Sequence, residues 1–155
     1  MKLSVLPGRF AVCRLAPNAP LPASPADTSF WSLTRTRDEL SLVCAEASIP
    51  SDCLSVERNW CAFGVAGPLD FALVGILASL TATLAKAQIS VFAISTYDTD
   101  YLLVKEETRA QAIAALREGG HMIETEEYTQ LQKNSWSRKV NISPSICGTR
   151  RNVSG

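Results

Sequence analysis

The feature that most constrains this chain is a pair of apolar segments joined by a polar elbow. Residues 89–94 and 101–104 are rich in β-branched and other apolar side chains, and residues 95–100 read Ser-Thr-Tyr-Asp-Thr-Asp. The pattern predicts two neighbouring strands joined by a turn. A turn needs only one or two Asx or Ser residues, whereas five of the six elbow residues carry hydroxyls or carboxylates and Tyr97 adds a ring. This surplus predicts that the elbow binds something small and polar.

The elbow lies in the middle of a predicted strand–helix–strand–strand–helix–strand order. Residues 58–65 have the composition of a strand, and 69–87 are predicted to be a helix because leucine and isoleucine recur at three- and four-residue spacings. A second helix is predicted over 106–118, where a glycine pair follows its end. A last short strand is predicted over 121–124. This order predicts an α+β fold, a ferredoxin-like βαββαβ sandwich.

The first part of the chain resembles a degraded copy of the same unit. Moving it by 61 residues places Leu42-Val43 on Leu103-Val104. This weak repeat predicts tandem halves with antiparallel sheets. Four prolines between residues 17 and 25 exclude a regular helix there, so the helices of the first half are predicted to be short or missing.

The predicted organisation therefore has three parts. Residues 1–57 form an abbreviated N-terminal half, and residues 58–125 form a complete C-terminal domain. Polar residues and arginine dominate residues 126–155 without an apolar period, which predicts a flexible tail.

Net charge, hydrophobic runs and cysteine spacing limit which binding partners and which cellular location are expected. The net charge is zero, which predicts no nucleic-acid and no membrane-surface partner. The uncharged run 71–85 is shorter than the roughly 20 residues of a membrane span. The five cysteines lack C-x-x-C spacing and no secretory leader is recognised, so a cytoplasmic protein with reduced thiols is predicted.

Catalytic chemistry has little support in the sequence. His121 is the only histidine and has no motif around it, and the chain has neither a phosphate-binding loop nor a dinucleotide motif. One histidine without metal-spaced cysteines argues against a metal site. We therefore predict no catalytic residue, no metal and no cofactor.

Three segments carry a family resemblance. They are residues 65–71 (Val-Ala-Gly-Pro-Leu-Asp-Phe), 75–80 (Gly-Ile-Leu-Ala-Ser-Leu) and 94–104, which contains the elbow. Together they resemble the ACT-domain family, in particular the branch of paired ACT-like domains that includes the regulatory part of aspartate kinases and cytosolic arginine sensors. The resemblance is strong over about residues 58–124 and fainter over 1–57.

The resemblance implies a ligand site. ACT domains bind small metabolites, usually amino acids, through the loop after the first strand and the neighbouring hairpin. In this sequence the predicted ligand-binding residues are, from the loop and the elbow in turn, Gly67, Pro68, Leu69, Asp70, Ser95, Thr96, Tyr97, Asp98 and Asp100.

The residue types suit an amino-acid zwitterion. Backbone N–H groups at the start of the helix after Pro68 can bind a carboxylate, and the carboxylates of Asp70, Asp98 or Asp100 can accept hydrogen bonds from an ammonium group. Two simpler interpretations stay open at this point. In the first, Asp70 only caps the helix, and in the second, the other two aspartates only form the turn.

The expected function is therefore that of a non-catalytic regulatory or sensor protein that binds a small molecule, and the expected ligand is an amino acid. The alternative is an ACT-like protein-interaction or dimerisation module without a ligand. An enzyme on a ferredoxin-like scaffold is a third hypothesis, because that fold hosts many chemistries.

The incomplete first half generates a prediction about assembly. Half-complete units leave sheet edges or helix faces uncovered, and uncovered edges pair with other chains. We expect a homodimer in solution at micromolar concentration. Light scattering measures the mass directly, and a monomer mass would contradict the prediction.

Overall fold

The computed structural model describes residues 1–26, 28–70 and 72–125. The predicted flexible tail 126–155 lies outside the described residues. Within them the strands, in chain order, are β1 Lys2–Val5, β2 Phe10–Leu15, β3 Ser32–Arg35, β4 Leu40–Ala45, β5 Ser55–Val65, β6 Phe92–Ser95, β7 Asp100–Lys105 and β8 Met122–Glu124. Two α-helices are described, α1 Ile76–Lys86 and α2 Arg109–Glu118, along with 3-10 turns at Glu46–Ser48 and Glu106–Thr108.

All eight described strands join in one sheet, in which β5 is the shared strand. The order along the sheet is β3-β4-β2-β5-β1-β8, while β7 pairs with β5 and β6 pairs with β7. The first part of β5 pairs with β2, and Phe63, Gly64 and Val65 at its end pair with β1. The predicted α+β fold with a ferredoxin-like order is confirmed.

The first strand of the chain lies in the second half of the sheet. Strand β1 runs antiparallel to β5 and parallel to β8, so it is inserted between them. Its Leu3 and Val5 are buried in the same hydrophobic cluster as Leu80 and Leu116 of the two helices. The division into 1–57 and 58–125 stays a prediction, but the C-terminal sheet includes residues from before that boundary.

Both helices pack on one face of the sheet. Alternate residues of the central strands point to this face, among them Cys61, Phe63 and Val65 of β5. Leu80 and Leu84 of α1 are fully buried against them, as the leucine spacing predicts. The second helix contributes Ala112 and Leu116 to the same core, together with parts of β1 and β7.

The start of the first helix differs from the prediction. The sequence predicts a helix from residue 69, whereas α1 begins at Ile76. Asp70 instead forms a tight turn, in which its side chain accepts a hydrogen bond from the N–H of Ala72 at 2.8 Å. Gly75 then has φ +81°, a left-handed conformation that separates this turn from the helix. Leu73, predicted on the apolar face, is exposed as a result.

The internal repeat is present, but its shift is 60 residues and not 61. Strands β3 and β4 correspond to β6 and β7, and the 3-10 turns that follow correspond as well. The turns between the strands have the same hydrogen bonds. The N–H of Thr36 donates to the carbonyl of Glu39 at 2.9 Å, and the N–H of Thr96 donates to the carbonyl of Thr99 at 2.8 Å. The weak match of Leu42-Val43 on Leu103-Val104 gave the wrong register because both pairs lie in uniformly apolar strands.

The first half covers its sheet without α-helices in its described residues. The proline-rich segment after β2 and the link before β5 take the place of helices. They pack partly buried side chains, including Ala19, Ile49 and Cys53, on the buried residues of β2 and β4. No described helix is long and apolar enough to cross a membrane.

The insertion of β1 can be tested with neighbouring residues. Leu3 is fully buried beneath the helices and Ser4 is exposed. We expect Leu3→Ala to lower the free energy of unfolding by about 2–5 kcal/mol, the usual cost of truncating a buried leucine. Ser4→Ala should change it by less than about 0.5 kcal/mol. Urea denaturation measures both values, and equal values would show that β1 does not belong to the core.

Candidate functional site

The elbow forms a compact turn between β6 and β7, and part of its polar surplus builds the turn itself. The hydroxyl of Thr96 donates to the carbonyl of Thr99 at 2.9 Å. At the base of the turn the hydroxyl of Ser95 donates to Oδ1 of Asp100 at 2.6 Å. One oxygen of Asp100 is therefore used inside the protein.

The loop after β5 is attached to this turn by two hydrogen bonds. The N–H of Leu69 donates to the carbonyl of Asp98 at 2.7 Å, and the hydroxyl of Thr99 donates to the carbonyl of Val65 at 2.5 Å. The N–H of Leu69 follows Pro68 and was expected to serve a ligand carboxylate, but this bond occupies it. The two segments that the sequence assigned to the site are thus fixed directly against each other.

Gly67 allows this close approach. A Cβ at this position would lie 2.9 Å from the carbonyl oxygen of Asp98 and 3.1 Å from Cβ of Thr99. Any side chain would push the loop away from the turn. Gly67 and Pro68 do not line the cavity described next, so their contribution is to shape the loop.

A cavity of about 290 Å³ opens between this loop, the start of α1 and the elbow. Seven of the nine predicted site residues line it, namely Leu69, Asp70, Ser95, Thr96, Tyr97, Asp98 and Asp100. Six further residues line it as well: Leu73, Gly75, Ile76, Leu77, Ala78 and Thr99. Sequence reasoning missed the start of α1 because it placed the start of the helix at residue 69. The glycine before Ile76 was the signal for the true start.

The start of α1 contributes backbone donors to the cavity. The first intrahelical bond of the helix runs from the N–H of Ser79 to the carbonyl of Gly75. The first N–H groups of any α-helix have no partner within the helix, and here they belong to Ile76, Leu77 and Ala78. Among the described residues no side chain caps this helix. The positive end of the helix dipole thus lies at the cavity wall.

The cavity lining is also acidic. Asp70, Asp98 and Asp100 line the cavity, and none of the described residues around it is basic. Asp70 and Asp100 each use one carboxylate oxygen for an internal bond, so each retains a second oxygen as an acceptor. The lining thus combines backbone donors with carboxylates, the two kinds of group that an amino-acid zwitterion requires.

Models of known protein families match two parts of this chain. A family model described as an ACT domain matches residues 55–118. Over these residues the chain matches the ACT-domain family. The matched ACT domain contains the loop, the start of α1 and the elbow, and therefore the whole cavity. A second family model, described as an N-terminal domain, matches residues 8–52.

Solved structures agree with this assignment. A crystal structure of a protein from Agobacterium tumefaciens is 36% identical, with a TM-score of 0.74 over 81% of this chain and 92% of that one. The regulatory subunit of aspartate kinase from Thermus thermophilus has a TM-score of 0.51 at 9% identity, over 76% of this chain and 96% of that one. The second likeness shows a shared fold.

Curated relatives include the cytosolic arginine sensor for mTORC1 subunit 1. The protein from Bos taurus is 34% identical over 97 residues and the human protein is 33% identical over the same length. In both cases the match covers 56% of this chain and 30% of the relative. The chain thus spans less than a third of the length of these sensors.

The described cysteines lie outside this cavity. Burial raises the pKa of Cys13, Cys53 and Cys61 to about 11. Thiols with such values carry little thiolate at neutral pH and are weak nucleophiles.

His121 is also absent from the cavity lining. Burial lowers the pKa of its imidazole, and the positive N-terminal amino group lowers it further.

The close approach at Gly67 generates a prediction. We expect Gly67→Ala to lower the free energy of unfolding by about 1–3 kcal/mol, because the added methyl group collides with the backbone of the elbow. Ala66→Ser, at the exposed neighbouring residue, should change it by less than about 0.5 kcal/mol. Chemical denaturation compares the two, and an unchanged Gly67→Ala variant would show that the loop is not held against the turn.

Proposed function

We propose that this chain is a non-catalytic regulatory protein that binds an amino acid in the cavity of its ACT domain. The observation that carries the proposal is the polarity of the cavity, whose lining combines the start of α1, with its free backbone N–H groups, and three aspartates. Its volume of about 290 Å³ lies near the lower end of the roughly 300–1,000 Å³ range of ligand pockets, which suits a small metabolite.

The α-carboxylate of the ligand would lie at the start of α1. Free N–H groups and the helix dipole favour an anion there. The α-ammonium group would face the elbow, where charge-assisted hydrogen bonds to Asp98 and Asp100 hold it. This orientation uses both ends of the zwitterion.

The charge balance further favours an amino acid with a cationic side chain. A single α-ammonium group neutralises one carboxylate, whereas three line the cavity without a basic neighbour among the described residues. A second positive group would neutralise one more of them. L-arginine is the first ligand to test, because relatives of this chain are named arginine sensors.

A second copy of the chain would complete the site. Leu73 and Tyr97 line the cavity and are exposed. A partner placed over them would bury apolar surface and shield the ligand from water. This arrangement agrees with the homodimer that the sequence predicts and with a role in the cytoplasm, where the named sensors act.

The alternative is an interaction module that binds no ligand. The exposed apolar side chains of Leu73, Val74 and Tyr97 favour it, because clustered exposed apolar residues are typical of protein contact surfaces. On this hypothesis the ACT domain would serve dimerisation or the binding of a regulated protein, and the cavity would stay empty.

A thermal-shift screen with the twenty amino acids separates the two functions. A ligand that binds only the folded state raises the melting temperature in proportion to RT ln(1 + [L]/Kd). We expect stabilisation by L-arginine and less by uncharged amino acids. Stabilisation by none of them would favour the interaction module, and turnover of any of them would point to an enzyme.

Charge removal at the elbow generates a sharper prediction. We expect Asp98→Asn and Asp100→Asn each to weaken L-arginine binding about tenfold or more, because a hydrogen bond to a charged group contributes roughly 1.5–3 kcal/mol. Stability should change little, since asparagine also tolerates turns. Isothermal titration calorimetry measures the affinities.

The repeat supplies a matched control. Asp38 occupies in the first half the position that Asp98 occupies in the second, and it is exposed. Asp38→Asn should leave L-arginine affinity unchanged. Equal affinity in the wild type and in both elbow variants would place the ligand elsewhere, and an equal loss of affinity and stability would identify the aspartates as turn residues.

A further inference from the structure

The first half repeats the elements that form the cavity. Its turn between β3 and β4 matches the elbow with the same Thr-centred hydrogen bonds at a shift of 60 residues. The segment that leaves β2 corresponds to the loop that leaves β5, since β2 and β5 pair with the matching strands β4 and β7. Each half therefore places a loop beside a turn.

The two halves differ at one matched position in the turn. Ser95 of the second half corresponds to Arg35 of the first. The serine is short and donates to Asp100, which leaves the space in front of the turn open as the cavity. The arginine is long and exposed, and it reaches the loop that follows β2.

Arg35 bridges the turn and the loop of the first half. One nitrogen of its guanidinium donates to the carbonyl of Pro17 and the other donates to the carbonyl of Ala19 at 2.8 Å. A guanidinium is planar and directs several donors in fixed directions, so it can bind two carbonyl groups of one loop together. The side chain thus contacts the same two kinds of element that would contact a ligand in the second half.

We propose that the first half contains a guanidinium-binding position, formed by the carbonyl groups of Pro17 and Ala19, which the chain's own Arg35 permanently occupies. Each chain then has one open ligand site, in the second half, and one site closed by an internal side chain. The statement about the second half rests on the proposed function, whereas the statement about Arg35 stands on the first half alone.

The guanidinium-binding position of the first half can be tested by removing the Arg35 side chain and then adding a small guanidinium compound. Arg35→Ser copies the matched residue of the second half and should lower the melting temperature by a few degrees, because the loop loses its bridge to the turn. Ethylguanidinium at about 10 mM should restore at least half of this loss by binding the vacated position. Ethylammonium at the same concentration should restore none, and the wild type should gain nothing from either.

Arg35→Lys provides the matched control for charge. Lysine keeps the positive charge, but its ammonium lacks the planar pair of donors, so we expect this variant to melt close to Arg35→Ser. A melting temperature equal to that of the wild type in Arg35→Lys, or no specific recovery of Arg35→Ser with ethylguanidinium, would overturn the proposal.

Transferring the arginine tests the second half. Ser95→Arg should close the cavity and abolish the thermal stabilisation by L-arginine while the protein remains folded. Ala93→Arg adds the same side chain at an exposed position of the same strand and should keep the response. A Ser95→Arg variant that is stabilised as strongly as the wild type would overturn the equivalence of the two positions.

The outcomes for the two proposals can be told apart. If no amino acid stabilises the wild type, the proposed function fails, and the ethylguanidinium experiment still decides the role of Arg35. If L-arginine stabilises the wild type with two molecules bound per chain by calorimetry, the proposed function stands and the closed first site is wrong.

Discussion

Backbone pairing along β5 is the interaction on which the rest of the structure depends. This strand has eleven residues and pairs with β2 and β1 on one edge and with β7 on the other. Its side chains alternate between two cores, so that Phe63 packs beneath the helices while Trp60 and Ala62 pack on the opposite face. Both halves of the chain thereby share one continuous set of hydrogen bonds, and neither half can shift without breaking it.

The same strand positions the candidate site. Because β5 ends at Val65 beside the elbow, the loop that follows emerges next to the turn between β6 and β7. The hydrogen bond from Leu69 to Asp98 and the missing side chain of Gly67 then hold the two segments together. The helix starts only after the loop has crossed the space in front of the turn, which leaves a cavity between N–H donors and carboxylates. The polar elbow consequently serves two purposes, since Thr96 and Thr99 build the turn while the aspartates line the cavity.

The two halves share the same strands and turn but differ in the segment that follows the first strand of each. Both halves have the same strand order and the same Thr-centred turn, so the turn by itself does not create the cavity of the second half. What differs is the element after the first strand, which leads into α1 in the second half and into a proline-rich segment in the first. The residue before the turn differs as well. Ser95 donates a hydrogen bond to Asp100 within its own hairpin, whereas Arg35 donates to the loop that follows β2. Function on this scaffold depends on local side chains, as expected for a fold with many uses.

The sequence by itself determined the order of strands and helices over the second half, the absence of a long helix between prolines 17 and 25, and most of the cavity lining. Each of these has a local cause, such as leucine spacing, proline geometry or clustered polar residues. The start of α1 was predicted wrongly because Leu69 and Leu73 continue the leucine period although Gly75 interrupts the backbone. Only the tertiary structure decided that β1 inserts between β5 and β8 and that the N–H of Leu69 is already bonded. Both depend on contacts between residues far apart in the chain, and no local pattern records which distant backbone group will satisfy a given donor.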